Sequence, residues 1–402
     1  VDALFDAYKP FFDEFGGVRV ESSREAGRIG KVPFFFILTG GTEGIVLDTL
    51  KDAWAIQAQP HPVVLLAHPR HNSLPAALEI AARVRQDGYR AVLILVRNPE
   101  DKEARTAMRE TLFLLESMHR MRSSIIGMVG KPSDWLIASS QGPENVKAIW
   151  GVDLIPIDPA ELKSKTGDAA IDVSMLDKAA FCIEPNEADR AASNAIYRAL
   201  KAIVVARGLS ALTLRCFDLV LNEKATGCVA LSRLSDEGID AGCEGDVAAI
   251  VALRWMRILT EKPAWMANPS DIAFDRAKGK ATLLLAHCTV PTTLVASFGL
   301  RSHFESGLGI AIAGEFSKQP VTLVRLGGDC LEESWIVEGT LIESPSMEGL
   351  CRTQAQVEID LKDAEDLVSK PLGNHLVMAF GSYAAIAQKY LKMAGIGSAV
   401  RF

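Results

Sequence analysis

The sequence predicts an α/β protein: two Rossmann-like, doubly wound α/β domains followed by a β-rich C-terminal domain. Three observations support this. Over residues 1–160, short apolar runs of strand length alternate with segments of helical period, the pattern of a parallel sheet wrapped by helices. Over 161–270 a shorter version of that alternation follows an alanine-rich helix. From 271 to 402, strand-like runs come with many glycines and few long helices. At 402 residues the chain exceeds one ordinary core, so two or three domains are expected.

Each element has its own signal. Phe5, Tyr8, Phe11, Phe12 and Phe15 recur at helical spacing, which reads as a docking segment. The run 33–38 reads as a buried strand, followed by Thr39-Gly40-Gly41-Thr42-Glu43 and a helix through Leu50. Residues 63–67 make a second strand, then come His68-Pro69-Arg70-His71-Asn72-Ser73 and a helix over 74–85. Strand 91–95 precedes a helix over 101–121, and 124–129 and 152–157 are further strands. Ligands of such sheets bind beyond the carboxyl ends of the strands, which puts 39–43 and 68–73 at a rim. Gly40-Gly41 matches neither a dinucleotide fingerprint nor a phosphate-binding loop, and reads as a turn with Thr42 as helix cap. His68 and His71 read as rim or capping residues, with contact to a polar substrate as the alternative.

Between 159 and 185 the pattern loosens, marking a crossing to a second unit. A helix over 187–207 and a strand over 211–217 follow, then a helix over 247–259. Beyond Pro263, runs 281–285, 321–326 and 356–359 read as strands, and a helix over 384–393 closes the chain.

Hydrophobic residues make up 49% of the chain, yet none of its apolar runs reaches the roughly eighteen residues of a membrane span, so no membrane association is expected. A net charge of -7 with scattered basic residues argues against a nucleic-acid partner. The start Val1-Asp2-Ala3-Leu4-Phe5 lacks the layout of a signal peptide. The seven cysteines are spread out and form no C-x-x-C pair, so a reducing cytoplasm is the expected setting.

The stretch with chemical content is Gly242-Cys243-Glu244-Gly245-Asp246, at the head of the helix over 247–259. Acids there suit the positive end of the helix dipole, and the glycine permits a tight turn close to a ligand. Three histidines follow in apolar or glycine-rich settings: His287, His303 and His375. A carboxylate converging with imidazoles suits a Mn²⁺- or Mg²⁺-type site with mixed oxygen and nitrogen ligands. Taken singly, each residue has a plainer reading. Glu244 is equally a surface acid at a helix start, His287 a satisfied core histidine and His375 a turn or capping residue. His303 and Glu305 precede Gly307-Leu308-Gly309, where they either orient a substrate or belong to a turn. Arg352 either grips a substrate or makes a structural ion pair.

With these residues in view, the chain resembles the L-fucose isomerase and L-arabinose isomerase superfamily, most strongly over 222–375. In that family a Glu in a Glu-Gly-Asp motif binds Mn²⁺ and takes part in proton transfer, and Glu244 with Asp246 matches it. His287 resembles the histidine ligand of the arabinose isomerase branch, and His375 in Leu372-Gly373-Asn374-His375 resembles the C-terminal ligand. The resemblance implies two α/β domains with a β-rich third, and a homo-oligomer, a trimer or hexamer. Two departures stand out. Asn268 occupies the place of a second carboxylate ligand, with Asp271 nearby as a substitute acid, and Leu376 stands where some relatives carry another histidine. An amide coordinates through oxygen but is neutral and cannot act as a base.

The resemblance therefore implies a metal-dependent aldose–ketose isomerase-like enzyme acting on a sugar through an enediolate. The metal ligands would be Glu244, Asn268, His287 and His375, the proton-transfer groups Glu244 and Asp271, and the substrate contacts His303, Glu305 and Arg352. Asn268 keeps a non-catalytic sugar-binding protein, or altered carbonyl or carbon–carbon chemistry on the same scaffold, as the alternative.

Overall fold

The alternating runs build two parallel sheets, and the glycine-rich region closes into a barrel. The computed structural model describes residues 2–19, 34–54, 61–164 and 174–397. Pro33 and the stretch 165–173 of the loosened crossing lie outside the described residues. The chain divides into two compact units, Val1–His119 with Lys389–Phe402, and Arg120–Gln388.

The first unit contains α1 (Asp2–Glu14), β1 (Phe34–Ile37), α2 (Glu43–Trp54), β2 (Val63–Ala67), α3 (Ser73–Gln86), β3 (Ala91–Leu95) and most of α4 (Lys102–Arg122). Its strands pair in parallel in the order β1-β2-β3. All five residues of the central β2 are buried, which is why it reads as an unbroken apolar run. Ala76, Ala77, Ile80, Ala81 and Val84 form the matching buried stripe of α3. The aromatic segment is α1, whose Tyr8 and Phe12 rings lie 5.1 and 4.9 Å from Phe36.

The second unit opens with β4 (Ile125–Val129), α5 (Pro143–Trp150), β5 (Asp153–Ile157), α6 (Pro159–Ser164), α7 (Glu187–Arg207), β6 (Ala211–Leu214), α8 (Cys216–Glu223), α9 (Cys228–Asp236), β7 (Asp240–Cys243) and α10 (Val247–Thr260). Its parallel sheet runs β5-β4-β6-β7. Strands β4 and β5, grouped with the first domain from the sequence, thus join the sheet of β6 instead: β4 pairs with β6, as in Ile126 opposite Ala211, and carries β5 on its other edge. Apolar periodicity marks a strand but carries no information about its neighbour. The run over 211–217 is also shorter than expected. Arg215 donates its backbone N–H to Val129 and its guanidinium to Pro132 and Asp134, and the chain turns into α8.

The rest of this unit is β8 (Trp265–Asp275), β9 (Lys280–His287), β10 (Ser297–Arg301), β11 (Ala311–Glu315), β12 (Gln319–Gly327), β13 (Glu333–Glu343), β14 (Thr353–Asp360), α11 (Leu361–Ser369), β15 (Leu376–Phe380) and the first part of α12 (Ala384–Ala394). Six strands close an antiparallel barrel in the order β12-β13-β14-β9-β8-β15, with β12 pairing β13 on one side and β15 on the other. Trp265, Leu283, Leu323, Val357 and Met378 belong to its apolar core. The β10–β11 pair stands separately.

Helix α10 positions the site. Its residues are buried nearly all round because it packs against β6 and β7 of the sheet and against β12 and β15 of the barrel. Its N-terminus therefore opens where the sheet's carboxyl edge meets the barrel. Among the described residues no helix is long and apolar enough to cross a membrane.

Candidate metal centre

Between β7 and α10 the chain makes a two-residue left-handed turn, with φ of 65° at Glu244 and 72° at Gly245. A side chain at 245 would meet the Lys131 carbonyl oxygen and Pro132 Cα, each at 2.8 Å, so glycine is required. Glu244 has no such exemption, so the turn holds a non-glycine residue in a sparsely populated conformation. Asp246 then caps α10, its Oδ1 accepting the Ala249 N–H at 2.7 Å.

Three ligand-type groups converge on this turn. Single donor atoms of Glu244, His287 and His375 all lie within 4.8 Å of one another, and the three residues are buried to different depths. His375 precedes β15 and His287 ends β9, so the barrel brings both imidazoles to the head of α10. Their rings meet edge to face, with centroids 5.5 Å apart.

His375 is held with one ring nitrogen turned toward the other two groups. Its Nδ1–H donates to Asp246 Oδ2 at 2.9 Å, which leaves Nε2 facing the cluster. That Nε2 is buried, forms no hydrogen bond, and stands 3.5 Å from Glu244 Oε1. Asp246 is itself held by the fully buried Arg325, whose Nη1 lies 3.4 Å away. Arg325 also donates to the His375 carbonyl oxygen at 2.9 Å, to the Leu372 carbonyl oxygen and to Ser139 Oγ. A carboxylate behind a histidine, anchored in turn, is the usual support of a metal-bound imidazole. Gly373 belongs to this arrangement, because a Cβ there would overlap Arg325 Nη2.

The electrostatics follow from the geometry. Burial works against charge on Glu244, but the His375 and His287 rings and the Trp135 indole outweigh it and hold its carboxyl down to about 2. Burial likewise opposes ionisation of Asp246, and Arg325 and His375 override it, keeping that carboxyl below its ordinary range. His375 also resists burial, since its two carboxylate neighbours raise its pKa to about 9. Burial and the adjacent His375 charge push His287 down to about 3, so it is neutral.

The donor set fits a divalent cation: one carboxylate and two imidazoles, including a buried nitrogen that makes no hydrogen bond. The two imidazoles are not equally ready. His287 Nδ1 accepts the Thr289 N–H at 3.1 Å, so its neutral ring carries the proton on Nε2. Ligation through that Nε2 requires His287 to give up the Thr289 contact.

The remaining residues singled out from the sequence lie around this cluster or away from it. His303 is buried, bonds Ser306 Oγ through Nδ1 at 3.1 Å, and packs edge-on against Phe217. Burial lowers its pKa, partly offset by the Glu244 charge. Glu305 is raised by burial and by that same charge. Arg352 is spent on structure, donating to the Ser302 carbonyl oxygen at 2.9 Å. Asn268 is half-buried in β8 opposite Ala286, two residues after Met266 in the strand that leaves α10. Asp271 is exposed at a bulge of β8, and its Oδ1 accepts the N–H of Ile272.

Three supporting residues escaped the sequence reading. Arg325 left one trace, a lone charge inside the apolar run Val321-Thr322-Leu323-Val324-Arg325-Leu326. Trp135 and Ser139 left none, because their roles depend on a loop folding back over a turn a hundred residues later. No protein-family model matches the chain, and no curated protein matches its sequence.

Proposed function

We propose that the protein is a metal-dependent aldose–ketose isomerase-like enzyme acting on a sugar, on the scaffold of the L-fucose and L-arabinose isomerases. The observation that carries this reading is the convergence of Glu244, His287 and His375, with the buried His375 Nε2 making no hydrogen bond and facing the Glu244 carboxylate at 3.5 Å. The parallel sheets and the barrel are compatible with the family's two Rossmann-like layers and β-rich third domain.

In this reading Glu244 and His375 hold a divalent cation such as Mn²⁺, and His287 completes the set once it releases Thr289. A cation so held supplies Lewis-acid stabilisation of charge developing on neighbouring substrate oxygens. Glu244 moves the proton between adjacent carbons on one face of the sugar, through an enediolate. Its low pKa favours the ligand role, since the carboxylate is ionised when a cation arrives. His303 lies close enough to feel the Glu244 charge and orients a sugar hydroxyl. Asp246 and Arg325 keep His375 in the tautomer that offers Nε2.

Calorimetric titration of chelator-treated protein with Mn²⁺, followed by a panel of aldoses and ketoses, tests the proposal. Near-stoichiometric binding that Glu244→Gln abolishes, with interconversion of one sugar pair, supports it. Metal-independent sugar binding without turnover would favour a binding protein instead. The donor set of two imidazoles and one carboxylate also suits Zn²⁺ or Fe²⁺, so the panel includes both.

A further inference from the structure

The loop after β4 runs over the Glu244 turn and grips it at several points. The backbone N–H of Ser133 donates to the Glu244 carbonyl oxygen at 2.9 Å, and the Ser139 carbonyl oxygen accepts the Val247 N–H at 3.0 Å. Between these points Trp135 donates its indole N–H to Glu244 Oε2 at 2.7 Å. The ring stands edge-on to Phe217, with centroids 5.0 Å apart. It is nevertheless 51% exposed, an unusual place for the largest side chain unless its polar edge has a task.

That contact divides the two oxygens of Glu244. Oε2 is occupied by the indole, while Oε1 faces His375 Nε2 at 3.5 Å. Without the indole, the carboxylate is free to rotate about its last bond and lose the orientation that presents one oxygen beside two imidazoles.

We propose that Trp135 is a positioning residue of the metal centre, fixing Glu244 as a one-oxygen ligand through its indole N–H and linking metal occupancy to the 133–139 loop. The inference rests on the metal reading above. Partners of metal ligands typically contribute roughly 10- to 100-fold to affinity. Trp135→Phe keeps an aromatic ring on Phe217 and removes only the N–H. Because the residue is half exposed, the variant retains the fold.

The experiment is a Mn²⁺ and Zn²⁺ titration of the full chain and of Trp135→Phe, with Ile137→Ala as a control exposed on the same loop. A parallel ¹H–¹⁵N spectrum follows the indole resonance that Trp135→Phe removes. The expected result is a roughly 10- to 100-fold weaker metal affinity in Trp135→Phe. Its thermal midpoint and the affinity of Ile137→Ala stay unchanged, and Zn²⁺ shifts the Trp135 indole signal in the unaltered protein. Equal affinity in Trp135→Phe and the unaltered protein overturns the role of Trp135 and leaves the metal reading standing. An unaltered protein that binds neither metal overturns both.

Discussion

His68 in the first unit and His375 in the second are both fully buried, yet their rings are treated differently. His68 is satisfied at both nitrogens: Nδ1 accepts the Arg70 N–H at 3.3 Å, and Nε2 donates to the Leu38 carbonyl oxygen at 2.9 Å. His375 is satisfied at Nδ1 alone, and its second nitrogen points into a carboxylate and another imidazole. From the sequence both stand in plausible polar loops, one after a strand and one before. Burial alone does not distinguish the two rings. The unmet hydrogen-bonding capacity of a buried ring does, because such a group is costly unless something binds it.

Exchanging the two residues gives the largest contrast. His375→Gln is expected to weaken Mn²⁺ binding by more than about 100-fold, beyond what an outer partner contributes. His68→Gln leaves Mn²⁺ affinity unchanged and lowers unfolding stability by roughly 1–3 kcal/mol, the cost of unmet buried hydrogen bonds. Calorimetry and denaturant melts of both variants check this, and the same metal affinity in both would erase the distinction.

Acidity offers the next contrast. His375 holds its proton until about pH 9, and a bound cation must displace it. Mn²⁺ affinity should therefore climb about tenfold per pH unit from 7 to 9 and level off above, with about one proton released per ion. The metal-free protein moves the other way. A pKa raised from 6.5 to about 9 contributes stability that is complete below pH 6.5 and lost as pH rises through 9, so its thermal midpoint falls over that range. Titrations in buffers of different ionisation heat count the proton, and a flat pH profile contradicts the assignment.

Within the centre, His287 should matter less than His375, because its readiness is compromised by Thr289. His287→Gln is expected to cost Mn²⁺ affinity about tenfold, a smaller loss than His375→Gln, and the order of the two measured losses decides the matter. Asn268→Asp carries the smallest effect, tightening Mn²⁺ binding by about threefold or more through added ligand charge. Unchanged binding removes residue 268 from the ligand set.

The strands and helices with strong periodicity were legible in the sequence: β2, α3, α7 and α10 match their expected spans to within two residues. Local patterns determine them. The partition of β4 and β5 into the sheet of β6 and β7 was not legible, since pairing is a long-range choice. The same division holds at the site. Glu244, His287 and His375 could be named from residue type and local setting, and their expected convergence agrees with the cluster. Arg325 and Trp135 could not, because each acts through a contact between segments far apart in the chain.

Arg325 carries a consequence for how the molecule comes into being. Its guanidinium is bonded to groups from residues 139, 246, 372 and 375, so it joins the sheet's loop, the head of α10 and the entry to β15. Until the last barrel strand is in place, this charge lacks half of its acceptors and the ring it orients is unanchored. During synthesis, any metal-binding competence would therefore wait until the last barrel strand, β15, has emerged, well after the parallel sheet can form. In refolding, recovery of cation binding should coincide with barrel closure, the slow long-range step, and lag behind the appearance of helix.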